Sequence, residues 1–324
     1  MPGVSIVSTV LNEAEDIPRL VESLLRLDPP AAEIVIVDGG SSDGTWEWLR
    51  DAGAKNPMLR AIRDETCSLK YTPGPVSKGR NVAIAAAATE TIACVDAGCT
   101  YAPDWLERLT APIARGETEY TLGGSCLALA DATVWDWASA PFLGVRTNIE
   151  APNKSCTARS MAFTKDLWRR IGGFPETVLL SEDTLFDIEA RKVTAVKFPR
   201  ARAMYHPRNT FRSACRQLGR YALGDGILGV RRNRLMRNAA RCVLEVAALV
   251  TLHWSWIPLA VAALLEFYFA FQLDWLFLHA ANPKTLAARA VYALCVPWIV
   301  TAWYLKGALT RANPTTNAQN AAGE

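Results

Sequence analysis

The chain has 324 residues, half of them hydrophobic, and a formal net charge of +3. This length has room for one large domain, or for a domain with an appendage. The eight cysteines form neither a CxxC pair nor a zinc-site spacing, which favours free thiols over a disulfide framework or a zinc domain. The small net charge hides an asymmetry, because residues 200–241 carry eleven arginines, no lysine and one acid, Asp225. No nucleic-acid recognition motif accompanies these arginines, so we do not expect a nucleic-acid partner.

Short apolar, strand-like runs alternate with helical patterns through the first half of the chain. The pattern predicts strands at residues 4–10, 34–38, 59–62 and 92–96, with helices at 17–25, after the turn at 41–43, and at about 80–88. Asn12 is predicted to cap the first of these helices. This β-α-β-α order predicts an α/β sheet of the nucleotide-binding, Rossmann-like kind.

The second half has looser patterns. Residues 123–163 read as mixed strands and loops, followed by a helix from Ser181, a strand at 195–198 and an amphipathic helix at 210–223. Residues 224–229 match GxGxxG, but no strand of a βαβ unit precedes them, so we interpret them as a flexible elbow and not as a dinucleotide site.

Apolar stretches at residues 242–281 and 290–305 predict two or three membrane helices, since a spanning helix needs about 20 apolar residues. A buried helical core is the alternative, but a soluble helix is rarely apolar on every face over such a length. The preceding arginines indicate a cytoplasmic N-terminal domain under the positive-inside rule. The expected location is an integral membrane one, the inner membrane if the source is bacterial.

Two strands are predicted to end at an aspartate. Asp38 closes the run at 34–38 before a glycine-serine turn, and Asp96 closes the run at 92–96 before Ala97 and Gly98. Because parallel sheets bind ligands beyond the carboxyl ends of their strands, both aspartates should face one crevice. Asp43, in the turn, is interpreted as a capping residue.

Further candidates follow along the chain. Lys78 and Arg80 are placed at the predicted start of the alanine-rich helix, where their charge opposes the helix dipole, so we predict an anion bound there. Glu182 and Asp183 begin a helix, where a carboxylate can serve equally as a structural device or as a general base. His206 is a potential metal ligand, although the sequence alone favours a structural role for a single histidine.

Taken in order, these segments resemble the family 2 glycosyltransferases, which have the GT-A fold and use nucleotide-diphosphate sugars. The resemblance covers residues 4–225 and rests on the opening strand with its Asn-Glu ending, the Asp38–Thr45 turn, Gly79-Arg80-Asn81 and the Glu182-Asp183 pair. The second aspartate of the D-x-D metal motif is Gly98 in this chain.

The resemblance implies roles for individual residues. Asp38 would contact the nucleotide base, Arg80 and Asn81 would lie near the diphosphate, and Arg159 would belong to the segment around the acceptor pocket. Glu182 would be part of the substrate site, and Asp183 would be the base of an inverting reaction. Asp96 and His206 would be the remaining ligands of a divalent cation, Mg2+ or Mn2+, from a motif that lacks its second aspartate.

Gln217 and Arg220 resemble the Q-x-x-R-W motif of processive synthases, with Tyr221 in place of tryptophan. Two or three helices cannot enclose a polymer, so transfer of a single sugar is expected, with this helix lying along the membrane surface. The predicted organisation is a glycosyltransferase domain at 1–225, a basic segment at 226–241, membrane helices at 242–308 and a disordered tail at 309–324.

The expected function is therefore transfer of one sugar from a nucleotide-diphosphate sugar to a lipid-linked or saccharide acceptor at the cytoplasmic face, with membrane lipid as a further partner. Three alternatives stay open at this point. One is a polyprenyl-phosphate sugar synthase, which would need no base. The others are a membrane transport component, suggested by acids near the apolar spans, and a noncatalytic sugar-nucleotide-binding protein.

Overall fold

The computed structural model describes residues 3–146, 156–251 and 283–312, together with residues 256–257, 260–261 and 264. The chain divides into two compact units. The first comprises Met1–Cys126 and Asn148–His206, and the second comprises Leu127–Thr147 and Pro207–Glu324. The helix that follows residue 210 therefore belongs to the unit of the C-terminal helices, whereas the sequence placed it in the domain ending at 225.

The elements of the first part of the chain, in order, are β1 (Val4–Val10), α1 (Ile17–Leu25), β2 (Glu33–Asp38), α2 (Thr45–Lys55), β3 (Leu59–Arg63), α3 (Pro75–Ala86), β4 (Thr91–Cys94), β5 (Cys99–Thr100), α4 (Trp105–Ala114), β6 (Tyr120–Leu122), β7 (Ser125–Leu127) and α5 (Val134–Ser139). They are followed by β8 (Met161–Thr164), α6 (Lys165–Arg170), α7 (Glu182–Val193), β9 (Val196–Lys197), β10 (Ala203–Tyr205), α8 (Phe211–Leu228), α9 (Arg232–Thr251) and α10 (Pro283–Ala312).

Seven strands form the main sheet of the first unit, in the order β3-β2-β1-β4-β8-β6-β9. The strands β3, β2, β1 and β4 are parallel, whereas β8 runs antiparallel to both of its neighbours. After β1 the chain adds β2 and β3 on one side and β4 on the other. The sheet therefore has a topological switch point at β1, which is where open α/β sheets form their ligand crevice.

The strands at the centre of this sheet are buried on both faces. Along β2, Ile34 and Ile36 join the core formed with α1 and α4, and Val35 and Val37 join the core on the opposite face with α3 and α7. Side chains alternate along a strand, so an unbroken apolar run is what a strand covered by helices on both sides requires. This explains why the predicted strands read as continuous apolar runs.

In the second unit, α8 packs against α10 through glycines. A Cβ atom added at Gly226 would collide with the backbone carbonyl oxygen of Tyr304, and one at Gly219 would lie 2.7 Å from the Trp303 ring. The helix continues through the glycine-rich stretch and ends before Gly229, whose φ is +68°. The predicted elbow at 224–229 is therefore mostly helical, because these small residues let two helices approach closely.

Helix α9 turns apolar side chains outward and polar side chains inward. Val243 and Leu249 are 69% and 67% exposed, whereas Asn238 and Arg241 are buried. The Arg241 guanidinium donates hydrogen bonds to the Asn238 side chain (3.2 Å) and to the carbonyl oxygen of Ala293 on α10 (3.3 Å). This arrangement is the reverse of a water-soluble surface helix.

Helix α10 also has apolar side chains outside and a polar one inside, with Leu294 and Leu309 exposed and Arg289 buried. Among the described residues, one helix, Lys284–Arg311, has the length and the apolar composition to cross a membrane. The predicted spans at 242–308 fall partly on residues 252–255 and 265–282, which lie outside the described residues. Of the predicted tail, 313–324 also lie outside them, and α10 continues to Ala312.

The position of α3 on the sheet is set by a glycine. A Cβ atom at Gly79 would lie 2.7 Å from the Cβ of Thr9, which is on β1. Real side chains do not approach so closely, so α3 can lie at this distance from β1 only because residue 79 has no side chain. The next residue is Arg80, which the helix thereby holds at the end of the sheet.

We expect Gly79→Ala to destabilise the fold by about 1–3 kcal/mol, because the added methyl group must push α3 away from β1. Urea unfolding of the purified protein measures this change. Ala85→Leu, at an exposed position of the same helix, is the matched control and should leave the free energy of unfolding within about 0.5 kcal/mol. Equal stability of the two variants would refute the close packing.

Candidate functional site

Asp38 and Asp96 lie at the same edge of the main sheet. Asp38 is the last residue of β2 and pairs in register with Val10 at the end of β1. Asp96 follows β4, which pairs with β1 on its other side. Since the three strands are parallel, both aspartates stand at the carboxyl ends around the switch point, as the sequence predicted.

The Asp38 carboxylate is fully buried. Its Oδ1 accepts hydrogen bonds from the backbone N–H groups of Gly40 (2.9 Å) and Ser41 (3.0 Å), whereas its Oδ2 has no hydrogen-bond partner among the residues that the structure describes. A buried carboxylate oxygen without a donor is costly. The arrangement therefore suits a ligand that brings a donor to Oδ2.

The turn after Asp38 is tied to the segment after β1. The Asn12 side-chain oxygen accepts a hydrogen bond from the Ser42 backbone N–H (2.9 Å), and the Asn12 backbone N–H donates to the Ser41 hydroxyl (2.8 Å). Asp43 accepts from the Thr45 N–H (3.0 Å) and from the Ala14 N–H (3.0 Å). Asn12 thus fixes this turn instead of capping α1, because the helix begins only at Ile17, with Asp16 at its N-cap position.

Arg80 lies at the centre of a buried ion network. Its guanidinium donates to Glu182 Oε1 at 2.7 Å and to Asp96 Oδ1 at 2.9 Å, and its side chain is only 4% exposed. Burial opposes the charge, but the two carboxylates outweigh that effect and raise the pKa of Arg80. The network connects α3, the end of β4 and the start of α7.

The helix that carries Lys78, Arg80 and Asn81 begins at Pro75, five residues before the predicted start. Lys78 is therefore the fourth residue of this helix and Arg80 the sixth, and carboxylates offset the charge of Arg80. Asn81 is engaged within the protein, since its amide donates to the Phe174 carbonyl (2.8 Å) and its oxygen accepts from the Trp168 indole (3.0 Å). Binding of substrate by Lys78 and Asn81 stays a prediction.

Glu182 and Asp183 are the first two residues of α7. Ser181, directly before them, has a φ of 63°, a strained conformation for a residue with a side chain. Asp183 is partly buried, and burial together with the neighbouring Glu182 carboxylate raises the pKa of Asp183 to about 6. Its carboxyl group is thus adjusted to exchange a proton near neutral pH.

Arg159 adds a second guanidinium beside Asp96. Its Nε lies 3.9 Å from Asp96 Oδ2, and its guanidinium carbon lies 4.0 Å from the centre of the Tyr205 ring. Tyr101 supports both residues, because its hydroxyl accepts a hydrogen bond from the Asp96 N–H (3.3 Å) and donates to the Arg159 carbonyl (2.8 Å). The sequence offered no signal for Tyr101, which lies outside every recognised motif.

His206 lies beside the Asp96–Gly98 segment, since the backbone N–H of His206 donates to the Gly98 carbonyl (2.9 Å). Both of its ring nitrogens have partners in the protein, with Nδ1 at 3.2 Å from the Arg19 guanidinium and Nε2 at 3.0 Å from the Thr100 hydroxyl. Asp96 in turn faces two guanidinium groups. These residues do not fit a divalent ion held by the protein alone, and no group of three or more ligating side chains forms among the described residues.

The profile named Glycosyl transferase family 2 matches residues 5–170, just over half of the chain. The chain belongs to glycosyl transferase family 2. This confirms the predicted family and, with it, the enzyme class of the domain.

Two curated relatives show the same kinship. Glycosyltransferase AglE of Haloferax volcanii is 26% identical over 200 residues, which cover 56% of this chain and 59% of that protein. Succinoglycan biosynthesis protein ExoA of Rhizobium meliloti is 26% identical over 220 residues, covering 61% of this chain and 63% of that protein. The chain thus matches less than two thirds of either relative's length.

Solved structures share the fold. Mannosyltransferase PcManGT of Pyrobaculum calidifontis, solved with GDP-Man and Mn2+, covers 97% of this chain and 88% of its own at 18% identity, with a TM-score of 0.56. TarS of S. aureus, residues 1–349, covers 94% and 92% at 17% identity, with a TM-score of 0.50. These likenesses confirm the predicted α/β GT-A fold.

Two further residues were predicted to bind substrate, Gln217 and Arg220. Both lie on α8 in the second unit. Gln217 accepts a long hydrogen bond from the Asn209 amide (3.5 Å) and donates one to the Tyr221 hydroxyl (3.4 Å), whereas Arg220 is exposed. Their contact with substrate stays a prediction.

Tyr101→Phe should lower the free energy of unfolding by about 1–2 kcal/mol, because it removes a buried hydroxyl that bridges two backbone groups. Tyr71→Phe, at an exposed tyrosine, is the matched control and should be neutral. Guanidinium chloride unfolding of the two variants measures the difference. If the Tyr101 variant were as stable as the control, the bridge would contribute nothing.

Proposed function

We propose that the chain transfers one sugar, with inversion at the anomeric carbon, from a nucleotide-diphosphate sugar to an acceptor hydroxyl. The observation that carries this proposal is Asp183, a carboxyl group with a pKa of about 6 at the start of α7, beside the Arg80 ion network. A base whose pKa lies near the working pH takes a proton efficiently and is ionised when it is needed. Capping alone would not require a raised pKa.

The donor in this proposal is recognised at the sheet edge. The unpartnered Oδ2 of Asp38 accepts a hydrogen bond from an N–H group of the nucleotide base. The names of the structural neighbours support a donor of this class, since TarS was solved with UDP and PcManGT with GDP-Man. Neither neighbour decides which base or sugar this chain uses.

The proposed reaction uses the charged groups of this site. Asp183 removes the proton of the acceptor hydroxyl as that oxygen attacks the anomeric carbon, and the bond from this carbon to the diphosphate oxygen breaks. Negative charge grows on the departing nucleoside diphosphate, where the guanidinium groups near Asp96 stabilise it. A divalent cation, Mg2+ or Mn2+, stays a prediction, and such an ion would take most of its ligands from the diphosphate and water.

We further propose that the second unit anchors the enzyme in a membrane and that the acceptor is lipid-linked or a saccharide at the cytoplasmic face. Support comes from α9 and α10, which expose valine and leucine while burying Arg241 and Arg289. Polar groups inside and apolar groups outside are what a lipid environment favours. The arginines at the start of α9 are suited to the headgroups of the cytoplasmic leaflet.

Asp183→Asn should reduce sugar transfer about 100-fold or more, because the amide cannot accept the proton. Glu189→Gln, an exposed isosteric change on the same helix, is the matched control and should retain activity. The assay is radiolabelled sugar transfer by detergent-solubilised protein across UDP and GDP sugars. Undiminished turnover of the Asp183 variant with a polyprenyl phosphate would instead indicate the synthase that needs no base.

Activity should fall as the pH drops through about 6, since Asp183 acts only in its ionised form and its pKa is raised to that value. Glu182→Gln removes the negative charge that raises this pKa, so the acidic limb of the pH–kcat profile should move to lower pH. Profiles of the two proteins between pH 4.5 and 8 measure the shift. An unchanged limb would mean that another group controls it.

Leu249→Lys should reduce membrane integration, because a lysine in the hydrocarbon region costs about 2.5–3.5 kcal/mol. Met236→Lys, equally exposed but near the arginines at the start of α9, is the matched control and should be tolerated at the headgroups. Carbonate extraction of membranes measures the integrated fraction. Equal extraction of both variants would show that α9 does not enter the hydrocarbon region.

A further inference from the structure

Gly98, which stands where the D-x-D metal motif has its second aspartate, has room for a side chain. A Cβ atom at Gly98 would lie 3.6 Å from the nearest atom, Cε2 of the Tyr205 ring, which is an ordinary contact. Its backbone is not in the left-handed region either, since its φ is not positive. Neither packing nor conformation therefore forces a glycine here, and the missing carboxylate needs a chemical reason.

A guanidinium is close to the space that this carboxylate would enter. Arg159 stacks on the same Tyr205 ring, with its guanidinium carbon 4.0 Å from the ring centre and its Nε 3.9 Å from Asp96 Oδ2. A side chain at position 98 would thus approach a ring against which a positive charge already lies. An aspartate there would place a negative charge near the Arg159 guanidinium.

Asp96, the remaining carboxylate of the motif, is also engaged by cations. Its Oδ1 forms the 2.9 Å ion pair with the buried Arg80, and its Oδ2 faces Arg159. A divalent ion bound through both oxygens of Asp96 would compete with Arg80 for Oδ1 and would lie within a few ångströms of the Arg159 guanidinium at Oδ2. Breaking one side of a buried ion pair is strongly unfavourable, so the arginines compete with a metal for this carboxylate.

The site around Arg159 is built to hold a planar cation. The side chain is only 14% exposed, its guanidinium carbon lies over the Tyr205 ring, and the Tyr101 hydroxyl donates to its backbone carbonyl oxygen. A guanidinium fork matches the oxygen geometry of phosphate, and a stacked, preordered fork loses little entropy on binding. Glu182 is committed to Arg80, which leaves Asp96 as the carboxylate shared by the two arginines.

We propose that Arg159 binds the diphosphate of the donor in the place where the family motif would hold a divalent ion, while the buried Arg80 holds Asp96 in position. Gly98 is then a matching feature of the site, because an aspartate there would add a negative charge close to the diphosphate. The inference rests on the proposed nucleotide-diphosphate donor. It predicts that nucleotide binding by this chain does not depend on a metal.

Calorimetric titration of UDP and GDP into the full-length, detergent-solubilised protein tests this dependence. We expect the tighter of the two to bind in EDTA with a Kd within about threefold of its value in Mn2+. Arg159→Ala should weaken that binding about tenfold or more, the size of a lost charge-assisted hydrogen bond. Arg159→Lys should recover only part of the loss, and Arg115→Ala, an exposed arginine of the same unit, should change nothing.

A second measurement does not depend on nucleotide. Electron paramagnetic resonance of Mn2+ with the protein alone should show weak binding to the wild type and stronger binding to both Gly98→Asp and Arg159→Ala, because each change favours a cation at Asp96. Thermal melting and binding of the free nucleoside establish that the variants are folded. If Arg159→Ala does not fold, Arg159→Lys and Gly98→Asp still give the comparison.

The outcomes separate the two proposals. Nucleotide binding that requires Mn2+ in the wild type, or that is unaffected in Arg159→Ala, overturns the inference and leaves the proposed donor standing. Binding of neither UDP nor GDP in Mn2+ or in EDTA removes the proposed donor, and the inference with it.

Discussion

The buried guanidinium of Arg80 is the interaction on which the candidate site depends. It joins three elements that are far apart in sequence, because α3 carries it while its two carboxylate partners follow β4 and begin α7. A charge this deeply buried is stable only while both partners are in place. The position of α7, and with it the placement of Asp183, is therefore tied to the register of α3 on the sheet.

That register has its own physical cause. Gly79 lets α3 approach β1 at a distance that a side chain would prevent, and Arg80 follows directly. Burial of Asp183 and the neighbouring Glu182 carboxylate raise the pKa of Asp183, and the Arg80 and Arg159 guanidinium groups act in the opposite direction. The packing of Gly79 thus places Arg80, and the pairing of Arg80 with Glu182 places Asp183.

Much of the first unit could be predicted from the sequence. The strands at the centre of the sheet are covered on both faces, so their apolar runs are continuous and their ends are marked by polar residues such as Asp38 and Asp96. The order of the motifs along the chain indicated the family and the GT-A fold. The errors came where a local signal competed with a distant partner. Asn12 looks like a helix cap but bonds to the 41–45 turn, and the glycines at 224–229 look flexible but pack against α10.

The sequence by itself determined the alternation of strands and helices, the edge of the sheet where polar residues gather, and the family, because these depend on periodicity and on residues close together in the chain. Only the tertiary structure decided which charges meet. Chain crossovers bring Arg80 to its two carboxylates and place Arg159 over the Tyr205 ring. They also determine the burial of the Asp38 carboxylate. Electrostatic energies depend on distance and burial, and neither quantity can be read from spacing along the chain.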